Sequence, residues 1–353
     1  MKNIEIILKK NIKKFGFISV EKFFNVVLYH DELGYYNNNK IIGKSGDFIT
    51  APEISQTFGE ILSNSLLLNY SKIKKNKLVS LVELGPGRGF LTRDILRTLK
   101  KLNIDFFKKI DAIYFLEKSK SFFRYLKELD LSPSIIDDIG KVSENFNIII
   151  ANEFFDALPV NQYIFRKNKW YEIVICLDKN EKFKFSIAKN PTKINFCFPN
   201  NPPDGYIFEY SGYMINLLAD ICKKISSFGG IFILIDYARN KKSKQGTIES
   251  LKQHRKVDLF FDLGNCDISY KPDFELIKKI SVNNNCKVFG PFTQSFFLQS
   301  YGINERINLL IKNNPKQKNE LLLQKLRLIG DNYMGKIFKV LIITDTKYNY
   351  EFI

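Results

Sequence analysis

The segment VELGPGRG (residues 82–89) has the clearest chemical use in this sequence. It follows an apolar run with strand character and precedes an amphipathic run with helical spacing. Residues without a Cβ allow a tight turn from strand to helix and a close approach of the backbone to a ligand. The free N–H groups at the start of the following helix also favour a polar ligand. The segment therefore predicts a turn that binds a nucleotide-like molecule.

The spacing of the glycines narrows the class of ligand. The dinucleotide fingerprint GxGxxG would need a glycine where Phe90 stands, and the lysine of the Walker pattern is absent. The remaining pattern, E-x-G-x-G-x-G, is typical of class I S-adenosylmethionine methyltransferases. Glu83 would then bind the amine of the methionine end, directly or through water, beside Gly85, Gly87 and Gly89. The alternative is an ordinary glycine-rich turn with a solvated glutamate.

A second acidic residue stands where the next predicted strand ends. A carboxylate at Glu117 can accept hydrogen bonds from both hydroxyls of a ribose, as the equivalent carboxylate does in dinucleotide-binding folds. We include the neighbouring Lys118 and, at the end of a later strand, Asn152 and Glu153 in the predicted cofactor site.

The segment ANEFFDALPV (residues 151–160) carries acids directly after the apolar run NIIIA. Methyl transfer is an in-line displacement at an already activated carbon, so an enzyme mainly supplies alignment and the correct protonation state. An arginine acceptor would require carboxylates that bind the guanidinium and localise its charge. The predicted catalytic acids are, in order, Glu153, Asp156, Glu209 and Asp236. The alternative for Glu153 is a carboxylate that interacts with a helix N-terminus.

His254 lies in a polar stretch, residues 240–272, that we predict to be a long irregular loop. Its ordinary pKa is close to the working pH, so it could act as a base or orient the acceptor. The alternative is a solvated loop histidine. The nearby NPPD (residues 201–204) resembles the motif of base-amino methyltransferases, but Asp204 replaces the aromatic residue and the strand lies far upstream. We interpret it as a proline-rich loop.

Strand-like and helical runs alternate around these motifs. Apolar runs at 78–84, 112–116, 147–151 and 230–236 predict a parallel sheet built from βαβ units. The predicted fold is α/β of the class I methyltransferase (Rossmann-like) type, a mostly parallel twisted sheet with helices on both faces. Its predicted parts are an N-terminal helical and loop extension (1–77), which the family resemblance given below implies to cover the cofactor site, the Rossmann-like domain (78–160 and 205–345), a β-rich insertion (161–204) and a long-loop and helical substrate or partner region (240–330).

Composition limits the class of protein. The 353 residues carry a net charge of +17, but the 54 basic residues are 45 lysines and only 9 arginines spread along the chain. Phosphate-reading surfaces more often concentrate arginine, so a general lysine bias explains the charge, and nucleic acid is not the expected partner. No apolar run is long enough to span a bilayer. Five cysteines without a CxxC pair and two histidines predict free thiols and no metal site.

The order of the motifs resembles one family over residues 20 to 345, the MidA-like S-adenosylmethionine-dependent methyltransferases. The segments that carry the resemblance are YHDELGYY, GDFITAPEISQTFGE, ELGPGRGFLTRDIL, YFLEKS, ANEFFDALPV, FEYS, IDYA, GTIESLKQH, DLGNCDIS, GPFTQSFFLQSYGINER and MGKIFKVL. The chain departs from the family at Ala238, where glycine is usual, at Leu263, where proline is common, and before His254, where an arginine and a tyrosine are usual. These departures concern the substrate loop rather than the cofactor site.

The resemblance implies a function beyond the motifs themselves. Mitochondrial members of the family are protein arginine methyltransferases that act in assembly of respiratory complex I (NADH dehydrogenase), so a complex I subunit is the expected substrate. The family's segment GDFIT folds back over the cofactor, which implies that Gly46, Phe48 and Thr50 line it; the alternative is a packed loop. The family also suggests a homodimer.

Two other functions remain open at this point. One is a binding or assembly protein that keeps the cofactor fold and holds a partner subunit without catalysis. The other is an RNA or DNA methyltransferase, suggested by the net charge of +17. Because we find no targeting segment, we expect a cytoplasmic protein of bacterial type, or a mitochondrial matrix protein if the source is eukaryotic.

Overall fold

A computed structural model describes residues 3–37, 50–70, 77–129, 132–192, 198–199, 201–239, 244–253 and 255–351. Within these ranges the α-helices are α1 (Ile4–Phe15), α2 (Val20–Tyr29), α3 (Ala51–Ile54), α4 (Thr57–Tyr70), α5 (Phe90–Leu102), α6 (Ile104–Lys109), α7 (Lys120–Glu128), α8 (Gly212–Phe228), α9 (Phe274–Asn283), α10 (Gln294–Ser300), α11 (Ile303–Asn313), α12 (Lys318–Ile329) and α13 (Met334–Ile337).

The strands of the same ranges are β1 (Ile18–Ser19), β2 (Val79–Leu84), β3 (Ile110–Leu116), β4 (Ser134–Ile136), β5 (Phe146–Asn152), β6 (Asn161–Arg166), β7 (Lys169–Leu177), β8 (Phe183–Ile187), β9 (Ile207–Tyr210), β10 (Gly230–Tyr237), β11 (Glu249–Lys252), β12 (Arg255–Val257), β13 (Asp267–Ser269), β14 (Cys286–Thr293) and β15 (Phe338–Asp345). The described helices include none that is long and apolar enough to cross a membrane.

The chain divides into two compact units. The large unit comprises Ile49–Phe155, Asn216–Ala238 and Phe274–Ile353, and the small unit comprises Met1–Phe48, Asp156–Ile215 and Arg239–Asp273. The predicted extension (1–77) is therefore divided between the two units, whereas the predicted insertion (161–204) lies within the small unit. These boundaries stay a prediction.

The large unit contains a seven-stranded mixed sheet in the order β14-β15-β10-β5-β2-β3-β4. Strands β10, β5, β2, β3 and β4 run parallel, and β15 runs antiparallel to both of its neighbours. The four apolar runs predicted as parallel strands are β2, β3, β5 and β10. They could be found because strands covered on both faces become continuous apolar runs.

The register of the sheet places the ends of three parallel strands, β2, β3 and β5, side by side. Leu84, the last residue of β2, pairs with Leu116 of β3 on one side and with Ala151 of β5 on the other. The residues that follow these positions therefore share the carboxyl edge of the sheet. The strand order reverses beside β2, and ligands of open α/β sheets bind at such a switch point.

The small unit is built from antiparallel strands and two helices. Its five-stranded sheet runs β1-β7-β6-β9 with β8 also on β7, and a second sheet runs β12-β11-β13. Helices α1 and α2 share its apolar core, to which Leu8, Phe23 and Ile175 belong. Helix α2 begins at Val20, and its N-cap is Ser19, whose side chain accepts a hydrogen bond from the N–H of Lys22.

Two expectations about secondary structure were wrong. The stretch 240–272, predicted as irregular, contains β11, β12 and β13, and strands β4 and β14 were not predicted. Strand β12 is mostly exposed and reads RKV, so it has no apolar face to reveal it. Strand β14 contains Gly290 and Pro291, which usually indicate a turn.

Candidate active site

The glycine turn lies where β2 ends at the switch point of the seven-stranded sheet. Gly85, Gly87 and Gly89 have φ angles of +64°, +53° and +72°, a region that side chains with a Cβ rarely adopt. The N–H of Gly85 donates to the carbonyl of Leu116 at 3.0 Å and so ties the turn to the end of β3. Gly89 then provides the N-cap of α5.

Space around the glycines differs from one position to the next. A Cβ on Gly85 would lie 2.5 Å from Phe154 Cδ2, so this glycine is required by packing. A Cβ on Gly87 would meet its nearest atom, Phe122 Cε1, only at 4.0 Å. Packing among the described residues therefore does not explain Gly87, whereas the approach of a ligand to the backbone would.

Glu83 is the last acid of β2 before the turn, and its side chain is buried. Its Oε2 accepts hydrogen bonds from the N–H and the hydroxyl of Thr92, at 3.2 and 2.5 Å. Burial raises the pKa of Glu83 to about 7; the Thr92 hydrogen bonds oppose this shift and the charge of Glu117 adds to it. Thr92 was not predicted, although its place in the first turn of α5 is a signal that it could reach Glu83.

Glu117 follows β3 at the same edge of the sheet and is half-buried. Its Oε1 accepts a hydrogen bond from the N–H of Ser119 at 2.7 Å, and its own N–H donates to the carbonyl of Ile136. Burial raises the pKa of this carboxyl to about 7. Lys118, the next residue, is exposed.

Asn152 is the last residue of β5 and pairs in register with Ile235 of β10. Its Nδ2 donates to Glu153 Oε1 at 3.1 Å. Its Oδ1 is buried and has no hydrogen-bond partner among the described residues. Because a buried acceptor without a donor is costly, this oxygen fits a ligand that brings an N–H or O–H group.

Glu153 follows directly and has a φ of +52°, which is uncommon for a residue with a long side chain. Its N–H donates to the carbonyl of Ile235, and its Oε1 also accepts from the N–H of Ala51, the first residue of α3, at 3.0 Å. Burial raises the pKa of Glu153 to about 8, against the lowering effect of the Ala51 and Asn152 hydrogen bonds. The carboxyl can therefore gain or release a proton near neutral pH.

Asp236 and Thr50 support the chain around Glu153. Asp236 is fully buried in β10, and its Oδ2 accepts from the N–H of Phe155 at 2.9 Å. Its charge also contributes to the raised pKa of Glu153. The carbonyl of Thr50 accepts from the N–H of Glu53 at 2.9 Å in the first turn of α3.

Glu209 lies in the small unit and is the last but one residue of β9 in the five-stranded antiparallel sheet. Its Oε2 pairs with Arg239 Nη1 at 3.2 Å, and side-chain exposure is only 2% for Glu209 and 5% for Arg239. The N–H and hydroxyl of Thr247 and the amide of Gln162 also donate to this carboxylate. All of these partners of the Glu209 carboxylate belong to the small unit.

Asp156 is buried in the small unit, and its carbonyl accepts from the N–H of Tyr270 at 3.0 Å. The pKa of Tyr36 is well above its ordinary value, mainly because of burial and the charge of Asp267. The charge of Asp156 makes a smaller contribution to this shift. Catalytic roles for Asp156 and Glu209 stay predictions.

Three predicted site residues, Gly46, Phe48 and His254, lie outside the described residues. Within the described part of the chain, no three histidines, cysteines or acids are grouped so that they could hold a metal ion. The described cysteines, Cys176, Cys222, Cys266 and Cys286, are free thiols.

Comparison with known proteins shows which family of sequences this chain resembles. The model of a family described as "Putative S-adenosyl-L-methionine-dependent methyltransferase" matches residues 61–292. The chain is 29% identical to "Protein arginine methyltransferase NDUFAF7, mitochondrial" of Danio rerio, over 94% of this chain and 84% of that protein. It is also 29% identical to the Drosophila melanogaster homologue of that name, over 95% of this chain and 83% of that protein.

Solved structures show the same fold. A methyltransferase-like protein from Burkholderia thailandensis, crystallised with S-adenosyl-homocysteine, matches with a TM-score of 0.79 at 21% identity. The match covers 98% of this chain and 92% of that one. At this identity the match establishes the methyltransferase-like α/β fold and carries no information about the roles of individual residues.

Proposed function

The chain belongs to this family of S-adenosyl-L-methionine-dependent methyltransferases, and from that premise we propose that it is a protein arginine N-methyltransferase. We propose a subunit of respiratory complex I as its substrate, modified during assembly of the complex. The relatives named protein arginine methyltransferase, which match nearly the whole chain, support the choice of arginine. The observation that carries the proposal is Glu153, a half-buried carboxyl with a pKa of about 8 beside the predicted cofactor site.

For methyl transfer the protein mainly has to align the acceptor with the methyl group and to accept the proton that the acceptor loses. When bound, S-adenosyl-L-methionine supplies a methyl group activated by the positive sulfonium. Attack by a guanidinium nitrogen forms the N–C bond as the C–S bond breaks, and one N–H proton leaves that nitrogen. Glu153 binds the guanidinium, localises its positive charge away from the attacking nitrogen and accepts the released proton.

The pKa of Glu153 fits this role with a particular pH dependence. At pH 7 a carboxyl with a pKa of about 8 is mostly neutral, and a cationic guanidinium favours its ionised form. Binding of the arginine therefore displaces the proton of Glu153. The value of kcat/KM is expected to rise from pH 6 to about pH 8, and this rise is expected to vanish in Glu153→Gln.

The residues at the ends of three strands contact different parts of the ligand. Gly87 allows the backbone to approach the ligand, Glu117 accepts hydrogen bonds from the ribose hydroxyls, and Asn152 Oδ1 accepts a further hydrogen bond from the ligand. Glu83 already accepts from Thr92 through Oε2, so we assign its Oε1 to the ligand amine, directly or through water.

The finer features are also proposals. We keep the N-terminal segment that includes Thr50 as a cover of the cofactor site, and self-association as a dimer, on the family resemblance alone. The relatives are named mitochondrial, which supports a mitochondrial location for a eukaryotic source, where we propose the matrix. For a bacterial source we propose the cytoplasm.

The test is methyl transfer from S-adenosyl-L-[methyl-³H]methionine to isolated, unassembled complex I subunits, followed by acid hydrolysis. Label in methylarginine is expected for the wild type and not for Glu153→Gln. Label in methyllysine would overturn the choice of acceptor. Binding of the donor without any transfer would instead favour the assembly protein without catalysis.

A further inference from the structure

Arg88 stands inside the glycine turn, between Gly87 and Gly89, and none of the roles above uses it. The side chain is half-buried. Its Nε is inaccessible to solvent and has no hydrogen-bond partner among the described residues. A cation at this degree of burial usually has an acceptor, because an unsatisfied charged donor is expensive.

Two aromatic rings lie near the guanidinium of Arg88. The guanidinium carbon lies 5.8 Å from the centre of the Phe90 ring and 5.7 Å from that of Tyr125 on α7. Phe122, one turn earlier on α7, bounds the open space beside Gly87. The same face of α7 thus borders both the guanidinium of Arg88 and the open side of the turn, since residues three apart share a helix face.

Three acidic residues lie at the strand ends around the turn. Glu83, Glu117 and Glu153 are carboxyls whose pKa values burial raises. The positive charge of Arg88 extends to α3, where it lowers the pKa of Glu53 against the larger, raising effect of burial. The amino-acid end of the methyl donor carries both an amine and a carboxylate. The carboxyls can accept hydrogen bonds from the amine, whereas the carboxylate of the ligand needs a donor of its own.

We propose that Arg88 binds the carboxylate of the methionyl end of S-adenosyl-L-methionine and makes the site selective for donors that carry this carboxylate. The inference rests on the proposed cofactor site at the glycine turn. The guanidinium provides parallel N–H groups that match a carboxylate, and the rings of Phe90 and Tyr125 limit its conformations. Arg88 also balances the carboxyls of the site, so that the zwitterionic end of the ligand meets both charges.

The test uses isothermal titration with two ligands that differ in one group. S-Adenosyl-L-methionine carries the carboxylate, and decarboxylated S-adenosylmethionine lacks only this group. In Arg88→Met, binding of the first ligand is expected to weaken about 10-fold or more, while binding of the second changes by less than about twofold. The affinity of Arg88→Lys for S-adenosyl-L-methionine is expected to lie between those of the wild type and Arg88→Met. Lysine keeps the positive charge but lacks the two parallel N–H groups of the guanidinium.

Arg93 provides a matched control on the same ring. Its guanidinium carbon lies 4.7 Å from the centre of the Phe90 ring, but 49% of its side chain is exposed and it lies one turn into α5. Arg93→Met is expected to bind both ligands as the wild type does. Urea midpoints of all variants verify folding, and a second readout is the ligand-induced rise in that midpoint.

Each outcome decides the proposal. Equal weakening of both ligands by Arg88→Met would show that Arg88 only supports the turn, and no weakening of either would show that it does not reach the ligand. Both results overturn the inference and leave the methyltransferase proposal intact. Failure of the wild type to bind S-adenosyl-L-methionine would overturn the cofactor site itself, and this inference with it.

Discussion

Two acids that the sequence analysis predicts as catalytic, Glu153 and Glu209, have different environments in the folded chain. Glu209 pairs with the buried Arg239 and receives donors from Thr247 and Gln162. Glu153 accepts from a backbone N–H and an amide, and no cation of the described residues forms an ion pair with it. A carboxylate with a buried cation holds structure together, whereas one stabilised by neutral donors can still exchange a proton or bind a cationic substrate.

The largest effect should come from breaking the Glu209 pair. Arg239→Met leaves a buried carboxylate without its cation and is expected to lower the free energy of unfolding by about 3–5 kcal/mol. Urea unfolding can be followed through Trp170, the only tryptophan, which lies in β7 of the small unit. Lys141→Met is the control, because Lys141 and its partner Asp137 are both exposed, by 59% and 69% of their side chains, and such a pair contributes little to stability. A loss below about 1 kcal/mol for Arg239→Met would contradict the comparison.

Glu153→Gln should leave the fold intact and reduce the rate of methyl transfer about 100-fold or more, because the amide cannot accept the proton. Binding of S-adenosyl-L-methionine should change by less than about threefold in isothermal titration. In Glu209→Gln, by contrast, activity should decline only as far as the folded fraction declines. If Glu153→Gln and Glu209→Gln lost the same activity per folded molecule, the distinction between a catalytic Glu153 and a structural Glu209 would be wrong.

The glycine turn offers a smaller effect with a close control. Gly87→Val is expected to weaken binding of S-adenosyl-L-methionine about 10- to 100-fold, because the added methyl groups would occupy open space that the ligand needs. Gly205 has a similar φ of +80° and no atom within 4 Å of an added Cβ, so Gly205→Val carries similar backbone strain. Titration of both variants checks the expectation, and similar loss in the two would mean that strain alone is responsible.

The most gradual effect is a pH dependence of stability. Glu83 has a folded-state pKa of about 7 against an ordinary value of 4.5, so the folded chain holds more protons than the unfolded chain between these values. The free energy of unfolding should therefore fall as pH rises from 5 to 7, by up to about 1.4 kcal/mol per pH unit for this group. Urea unfolding followed by far-UV circular dichroism should show a shallower fall in Glu83→Gln. A parallel pH profile would mean that Glu83 ionises normally.

Local patterns were enough to predict much of the fold. Runs such as NIIIA identified β5 because a strand covered on both faces is apolar throughout, and the glycines located the turn after β2 because their backbone needs positive φ. Strand β12 could not be found, since its exposed charged residues have no apolar periodicity.

The candidate site was predictable only in part, for a related reason. Glu83, Glu117 and Glu153 could be placed because each lies where an apolar run ends, and such ends meet at one edge of a parallel sheet. The partner of Glu153, the N–H of Ala51, is 102 residues away in the chain and is a backbone group with no sequence signal. The partner of Glu209, Arg239, is an ordinary arginine in the sequence until the fold buries it.

The sequence by itself determined which strands form the parallel sheet, where the glycine turn lies and which acids stand at the strand ends, because these features depend on neighbouring residues. Only the tertiary structure decided what each acid does, because the pKa and the availability of a carboxyl depend on burial and on donors brought from distant segments. Glu153 and Glu209 look alike in the sequence, and the fold gives one a proton near neutral pH and the other a buried cation.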